Sequence, residues 1–180
     1  MNKESFYKLI ENLKDIDYFF ISGFAVHVLS EGKRSFHDFD IAISEKDIER
    51  FASRVNAIVN KRLINKGTFI VDDCGFEVSF EGIDIECTSG YPKLRVVDKK
   101  FDKLFFMKLK KNFLGRDIYI APIKEIIVQK AFMYREKDIE DLKLLRNLDF
   151  SNSLVSEIAV DWGDRERIFK NLQAVGFALQ

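Results

Sequence analysis

The stretch Phe36-His37-Asp38-Phe39-Asp40-Ile41-Ala42-Ile43 decides the fold, because apolar and polar side chains alternate through its middle. Alternation with a period of two is typical of a β-strand with one buried face. Phe39 and Ile41 would then face the core, and Asp38 and Asp40 would lie side by side on the other face. Two neighbouring carboxylates repel each other near neutral pH unless one keeps a proton or a cation lies between them. The stretch therefore predicts either a solvated acidic pair or a divalent-metal site.

A glycine turn precedes this strand by fifteen residues. Residues 18–21 are apolar, Ser22-Gly23 interrupt them, and residues 24–29 can form a helix. Glycine lets a phosphate approach the backbone, and the first turn of a helix presents unpaired amide groups. Ser22 and Gly23 are therefore a candidate phosphate-binding turn. Phosphates bound there would complete the oxygen shell of Mg²⁺ at the acidic pair.

Together the turn and the strand resemble the signature of the DNA polymerase β-like nucleotidyltransferase superfamily. In that superfamily a glycine turn precedes an Asp-x-Asp strand by about this distance. The chain is most similar to small stand-alone members, which are the minimal nucleotidyltransferases, the aminoglycoside nucleotidyltransferases and the toxin-like proteins of the AbiEii type. The resemblance implies that Asp38 and Asp40 bind one or two Mg²⁺ ions with a nucleoside triphosphate (NTP), ATP among the candidates. The implied reaction transfers a nucleoside monophosphate to a hydroxyl of an RNA, a protein or a small molecule.

The resemblance also implies a third carboxylate, on a later strand, that activates the attacking hydroxyl and joins the metal site. Asp84 and Glu86 lie on one face of the predicted strand at residues 82–87. Glu86 is favoured, because related small members carry a glycine followed by hydrophobic-x-hydrophobic-acid, and residues 82–86 reproduce that order. Asp84 stays an alternative, since other branches place their acid two residues earlier. Asp72 and Asp73 are adjacent and would face opposite ways on a strand, so they are interpreted as a turn before Gly75.

Phe24 departs from the resemblance, because the family usually has glycine or serine immediately after the first motif glycine. Either Ser22-Gly23 is itself the small pair, with one extra residue before Asp38, or Phe24 removes a small side chain near the phosphates. The second alternative predicts a degenerate member that binds a nucleotide or a partner protein without turnover. A third hypothesis is the toxin of a toxin–antitoxin pair, with an antitoxin protein as partner.

Two stretches with helical spacing, residues 123–130 and 135–142, are similar to the helical tail of AbiEii-type proteins. The resemblance implies that Lys130 faces the cleft, where its charge would stabilise leaving pyrophosphate. Asp138 and Asp141 match an acidic pair of that tail. From the residues alone, this pair is equally compatible with a solvated helix face. Arg34 resembles a basic residue that often lies between the glycine turn and the carboxylates, and it is a further candidate nucleotide ligand.

The other chemistry-capable residues are few. His37 adjoins the acidic pair and would orient a carboxylate or contact a phosphate, whereas His27 fits a helix surface or a half-buried position. A His-Asp metal phosphohydrolase would need another histidine ligand further upstream. Cys74 and Cys87 are predicted to be reduced packing residues, because two cysteines in 180 residues do not make a disulfide framework.

Composition fits a compact cytoplasmic protein. The chain has 29 basic and 29 acidic residues, which argues against nonspecific coating of nucleic acid. No apolar stretch approaches a membrane span, and the N-terminus lacks the apolar core of a secretory signal. The basic and phenylalanine-rich residues 99–116 are interpreted as an exposed β-ribbon over residues 103–121, with lysine outside and phenylalanine inside.

The predicted fold class is α+β, a nucleotidyltransferase fold with a mixed sheet flanked by helices and a helical C-terminal portion. Residues 1–121 would form the core and residues 122–180 the helices packed on it. Pro92 is expected in a loop, and Trp162 is expected to anchor the last helices. Predicted helical stripes run through residues 6–13 and 48–58, and predicted strands lie at residues 18–21, 36–43, 68–71, 76–80 and 83–87.

Overall fold

The computed structural model describes residues 2–65, 69–89, 92–94, 102–148 and 152–178. In chain order its helices are α1 (Lys3–Asn12), α2 (Ser22–Leu29), α3 (Ile48–Arg54), α4 (Asp102–Met107), α5 (Ile123–Met133), α6 (Glu136–Leu145), α7 (Asn152–Asp161) and α8 (Arg165–Ala174). Its strands are β1 (Tyr18–Phe20), β2 (Asp38–Ile43), β3 (Asn60–Asn65), β4 (Phe69–Phe80), β5 (Ile83–Thr88), β6 (Pro92–Leu94), β7 (Leu109–Phe113) and β8 (Arg116–Ile120). None of these helices is long and apolar enough to cross a bilayer.

The strands form one mixed sheet in the order β3-β4-β5-β2-β1-β8-β7, with β6 beside β4. The central strand β2 runs parallel to β5 and antiparallel to β1. The β4–β5 and β7–β8 pairs are antiparallel, as expected for strands joined by short turns. The α+β class and the mixed sheet predicted from the sequence are confirmed.

The core lies on the apolar face of the central strands. Phe39 and Ile41 are 1% and 0% exposed, as the alternation in β2 predicts. Helix α1 buries Phe6 and Leu9 against this face. Asn2 caps the helix by accepting a hydrogen bond from the amide of Glu4 at 3.0 Å. The apolar stripe of α1 and the apolar face of β2 therefore pack against each other in one core.

The last helices pack through a buried tryptophan. Trp162, 2% exposed, lies 5.3 Å from the Phe132 ring of α5, measured between ring centroids. Its indole N–H donates to the buried Glu125 carboxylate at 3.3 Å. The burial agrees with the anchoring role predicted for Trp162. The break at Gly163 separates α7 from α8, also as predicted.

The interpretation of Asp72-Asp73 as a turn is wrong. Both residues lie inside β4, where Asp72 pairs with Leu63 and Asp73 with Arg62 of β3. The strand β3 was not predicted, because its sequence Asn-Lys-Arg-Leu-Ile-Asn has little apolar alternation. Pairing with β3 gives this segment of β4 backbone partners, and tertiary pairing overrides the local turn composition.

Three further local predictions are wrong. Pro92 is the first residue of β6 rather than part of a loop, a position where the missing amide of proline is tolerated. Residues 102–107 form α4, so the predicted ribbon is reduced to β7 and β8. Phe106, expected inside the ribbon, is 91% exposed. The helix that begins at Ile48 ends at Arg54, and Ile58 is 79% exposed. Residues 99–101 of the basic stretch, Thr68 and Leu179 lie outside the described residues.

Candidate functional site

Four carboxylates meet on one face of the sheet. The parallel register of β2 and β5 places Asp38 beside Asp84 and Asp40 beside Glu86. Paired residues of neighbouring strands point to the same side, so these side chains leave the sheet together. Asp40 is half-buried and the other three are exposed. The structure thus brings together the acids that the sequence placed on two separate strands.

The glycine turn lies against the same carboxylates. Because β1 runs antiparallel to β2, its end is next to the start of β2, and the amide of Ile21 donates to the Asp40 carbonyl at 3.0 Å. Helix α2 begins at Ser22, two residues earlier than predicted. Ser22 has a left-handed φ of 52°, and its hydroxyl hydrogen-bonds the Asp40 carboxylate. The first turn of α2 is thereby held beside the acidic pair.

Phe24 does not lie at the turn. Its side chain is 0% exposed and faces the core, with ring centroids 4.6 Å from Phe39, 4.7 Å from Phe20 and 4.9 Å from Phe36. The residues at the turn are Ser22 and Gly23, and the Phe24 ring does not enter it. A Cβ added at Gly23 would come no closer than 3.9 Å to a guanidinium nitrogen of Arg34, an ordinary contact. Internal packing therefore does not require a glycine at position 23.

The surroundings of Asp40 disfavour the ionisation of its carboxyl group. Its burial, followed by the negative charges of Asp38 and Glu86, raises its pKa from 3.8 to about 6. The hydrogen bond from Ser22 and the positive charge of Lys130 act in the opposite direction. On β5, it is the charge of Glu86 that contributes to this rise. The site therefore concentrates more negative charge than its surroundings neutralise.

A buried ion cluster lies behind the turn. Lys130 of α5 is 4% exposed, and its Nζ is 3.0 Å from Asp138 Oδ1 and 2.8 Å from Asp141 Oδ2 of α6. Asp141 Oδ1 also accepts from Arg34 Nε at 2.5 Å, and Asp138 Oδ2 from Arg135 Nε at 2.6 Å. Three cations thus surround two carboxylates that are both 0% exposed. Only with such partners is the burial of charged groups tolerated.

The ion cluster excludes one interpretation of the acidic pair in α6. Asp138 and Asp141 do not lie on a solvated helix face, because both are buried. Burial alone would raise the pKa of Asp138, but hydrogen bonds and charges from Arg135 and Lys130 hold it below its ordinary value. The resemblance to the AbiEii-type tail singled out these two residues and Lys130. It gave no sign that Arg34, 107 residues before Asp141, would join them.

Other candidates are distributed more loosely. His37 is exposed, and His27 is half-buried, as predicted for it. Cys87 is buried, whereas Cys74 is exposed and is not the packing residue that was expected, and both are free thiols. Among the described residues, no three His, Cys, Asp or Glu side chains are arranged closely enough to hold a metal as they stand. Asp38, Asp40 and Glu86 lie on one face of the sheet, and the charges of Asp38 and Glu86 act on Asp40. Their side chains are nevertheless not arranged as a preformed metal site.

Comparison with known proteins gives matches in structure alone. No protein-family profile and no curated protein matches the sequence. A protein from Thermotoga maritima with a provisional nucleotidyltransferase assignment superposes with a TM-score of 0.56 at 15% identity, over 79% of this chain and 93% of that one. A nucleotidyltransferase-like antigenic protein from Paracoccidioides brasiliensis gives 0.54 at 11% identity, over 97% and 88%. The antibiotic-resistance factor ANT(2'')-Ia, solved with adenylyl-2''-tobramycin, gives 0.53 at 12% identity, over 94% of each chain.

Proposed function

Because the chain adopts the nucleotidyltransferase fold, we propose that it transfers a nucleoside monophosphate from an NTP to a hydroxyl group and releases pyrophosphate. The observation that carries the proposal is the parallel pairing of β2 with β5. That pairing places Asp38 and Asp40 directly beside Asp84 and Glu86, next to the Ser22-Gly23 turn. A likeness of fold alone would not specify chemistry, whereas this arrangement of acids and amides is suited to polyphosphate.

The carboxylates fit a divalent cation. Burial and, after it, repulsion from Asp38 and Glu86 raise the pKa of Asp40, and a bound cation would favour its ionised form. Mg²⁺ prefers oxygen ligands, and it commonly takes one or two carboxylates together with substrate phosphates. Asp38, Asp40 and Glu86 are the residues proposed to hold it. When bound, the ion would neutralise charge on the phosphates, and a second ion would share that task.

The acceptor hydroxyl needs a group that takes its proton. We assign this role to Glu86, with Asp84 as the alternative. Glu86 lies beside Asp40 in the strand register and contributes to its electrostatic environment, whereas Asp84 lies two residues earlier, beside Asp38. A carboxylate oxygen of Glu86 would accept the proton as the hydroxyl attacks the α-phosphorus, and the bond from that phosphorus to pyrophosphate would break.

The turn and the ion cluster would bind the phosphates. Ser22 and Gly23 start α2, so the first amides of the helix are available to anionic oxygens. The missing Cβ at Gly23 leaves room for a phosphate to approach, and Arg34 lies beside that opening. Lys130 is buried and already paired, so its proposed contribution is positive charge behind the turn. The positive charge of Lys130 also acts to lower the pKa of Asp40, which supports this contribution.

The test is a transfer assay with matched variants. The protein is incubated with Mg²⁺ and each labelled NTP, with tRNA, candidate proteins and aminoglycosides as acceptors. Asp38→Asn and Asp40→Asn should lower product formation by at least about a hundredfold, because charge stabilisation dominates this chemistry. Glu45→Gln, an exposed acid just beyond the far end of β2, should not change it. If no acceptor is labelled, and the two Asn variants bind Mg²⁺ and NTP as the wild type does, the proposal is wrong.

The binding-only alternative rests on Phe24, whose ring lies in the core while the position still lacks a small side chain or hydroxyl. Calorimetry with Mg²⁺ and NTP followed by a turnover assay separates the two, since binding without turnover favours the degenerate member. The toxin hypothesis stays a prediction: growth arrest on expression of the wild type but not of Asp38→Asn would support it. An antitoxin partner would then be sought by its ability to relieve that arrest.

A further inference from the structure

His27 is a polar residue in an aromatic environment. Its ring centroid lies 4.7 Å from that of Phe36, 5.5 Å from Phe113 and 6.2 Å from Phe24. A phenylalanine would pack among these rings without the cost of removing a polar ring from water. The imidazole therefore calls for an explanation other than packing.

The polar atom of His27 has a specific partner. Nδ1 lies 2.5 Å from the carbonyl oxygen of Arg34, seven residues later. A carbonyl only accepts hydrogen bonds, so Nδ1 carries a proton and donates it. The aromatic neighbours fix the plane of the ring and thus the direction of this bond. His27 ties the middle of helix α2 to the loop at residues 30–37.

Arg34 is held at its other end as well. Its Nε donates to the buried Asp141 at 2.5 Å, and a guanidinium nitrogen lies 3.9 Å from the position that a Cβ on Gly23 would occupy. The side chain is only 24% exposed although it belongs to a loop. His27 fixes the backbone of Arg34, and Asp141 fixes its guanidinium.

Few backbone hydrogen bonds hold the loop close to Arg34. Most of residues 31–37 are exposed, and the backbone hydrogen bonds from Glu31 to Val28, from Gly32 to His27 and from Lys33 to Ser30 end before Arg34. The Arg34 guanidinium donates to the carbonyl of the neighbouring Ser35, and Phe36 packs against Phe24, but among the described residues the bond from His27 is the one made to the backbone of Arg34 itself. Without the His27 bond, the guanidinium keeps its ion pair to Asp141, but the backbone position from which the side chain extends to the turn is no longer fixed.

We propose that His27 is a positioning residue, which holds the Arg34 backbone so that the guanidinium lies beside the Ser22-Gly23 turn, where it binds nucleotide phosphate. The ligand, nucleotide phosphate, depends on the proposed function. The positioning of the loop by His27 does not. His27 acts through Arg34, because its own ring lies among phenylalanines rather than at the carboxylates.

The test uses variants that separate ring packing from hydrogen bonding. His27→Phe keeps an aromatic ring and removes the donor, whereas His27→Asn loses the ring and places an amide N–H near the position of Nδ1. Calorimetry with Mg²⁺ and ATP, GTP, CTP or UTP should show roughly three- to tenfold weaker binding for His27→Phe, the effect of one neutral hydrogen bond. His27→Asn should recover part of that loss. In an Arg34→Ala background, His27→Phe should have no further effect.

Amide hydrogen exchange without nucleotide gives an independent measurement. His27→Phe should accelerate exchange at residues 33–36 more than in the rest of the chain. Equal NTP affinity in wild type and His27→Phe, or the same loss with and without Arg34, would overturn the inference. If the wild type binds none of the four NTPs, the proposed function fails and exchange alone decides the positioning role. Unchanged exchange at residues 33–36 would then refute it.

Discussion

Replacing Asp40 by asparagine should stabilise the folded protein while it abolishes the proposed activity. Asp40 is half-buried beside Asp38 and Glu86, so its ionised form is disfavoured first by burial and then by repulsion from these two carboxylates. Asparagine has nearly the same shape, and its carbonyl oxygen can still accept the hydrogen bond from Ser22. The substitution therefore removes a charge without opening a cavity.

The pKa of Asp40 sets the size of the expected change in the free energy of unfolding. Its rise from 3.8 to about 6 spans about two pH units. At about 1.4 kcal/mol per unit, the ionised form destabilises the fold by at most about 3 kcal/mol. Because Asp40 keeps some contact with water, we expect about 1 to 2 kcal/mol in practice. A raised carboxyl pKa stabilises the fold at low pH, and this contribution is lost as pH rises through about 6.

Urea unfolding of wild type, Asp40→Asn and the control Glu45→Gln checks this reasoning, with EDTA present at about pH 4, 6 and 8. The free energy of unfolding of Asp40→Asn should exceed that of wild type at about pH 8 and converge with it toward about pH 4. Added Mg²⁺ should then stabilise the wild type more than the variant, because a bound cation compensates the repulsion. A variant that is less stable than wild type at pH 8, or a difference that does not depend on pH, would refute the electrostatic account.

Three further predictions concern the structure around the site. Lys130→Met should lower the free energy of unfolding by about 3 to 5 kcal/mol, because it leaves Asp138 and Asp141 buried without their shared partner. Lys143→Met, which breaks an exposed pair with Glu140, should cost less than about 1 kcal/mol in the same denaturation assay. Phe24→Ala should destabilise by about 3 to 5 kcal/mol in that assay, because its ring is fully buried among other phenylalanines. Burial would raise the pKa of Asp47, but the Asp17 amide, Ser44 and Arg50 outweigh it and lower that pKa. This stabilisation is present above about pH 4 and is lost as pH falls through the lowered value, so Asp47→Asn should be less stable than wild type near neutral pH and equal to it in acid.

The sequence predicted the parts of the fold that local periodicity controls. Alternation identified β2 and β5, and helical spacing identified α1 and the helices after residue 122. Composition misled where pairing across the sheet decides the conformation. Asp72-Asp73 are favourable turn residues, yet they form part of the twelve-residue strand β4, because β3 supplies a partner.

The site was predictable in its acids and only partly in its cations. Asp38, Asp40 and Glu86 each lie on a strand whose pattern is visible in the sequence, so their common face follows once the strands pair. The position of Phe24 depended on which side of α2 meets the core, which the residues left open. The contact between Arg34 and Asp141 joins a loop to a distant helix, and neither segment has a periodicity that refers to the other.

That contact limits which combinations of residues the protein can accept. Asp141 lies in the interior and touches cations from two separate segments, so a neutral or basic residue there would leave two positive groups facing each other. Randomising positions 34 and 141 together and selecting for folded protein should return a basic residue at 34 with an acidic residue at 141, or uncharged residues at both. The effect of a substitution at either position would thus depend on the residue at the other. A substitution that is harmful alone would be rescued by a second one 107 positions away.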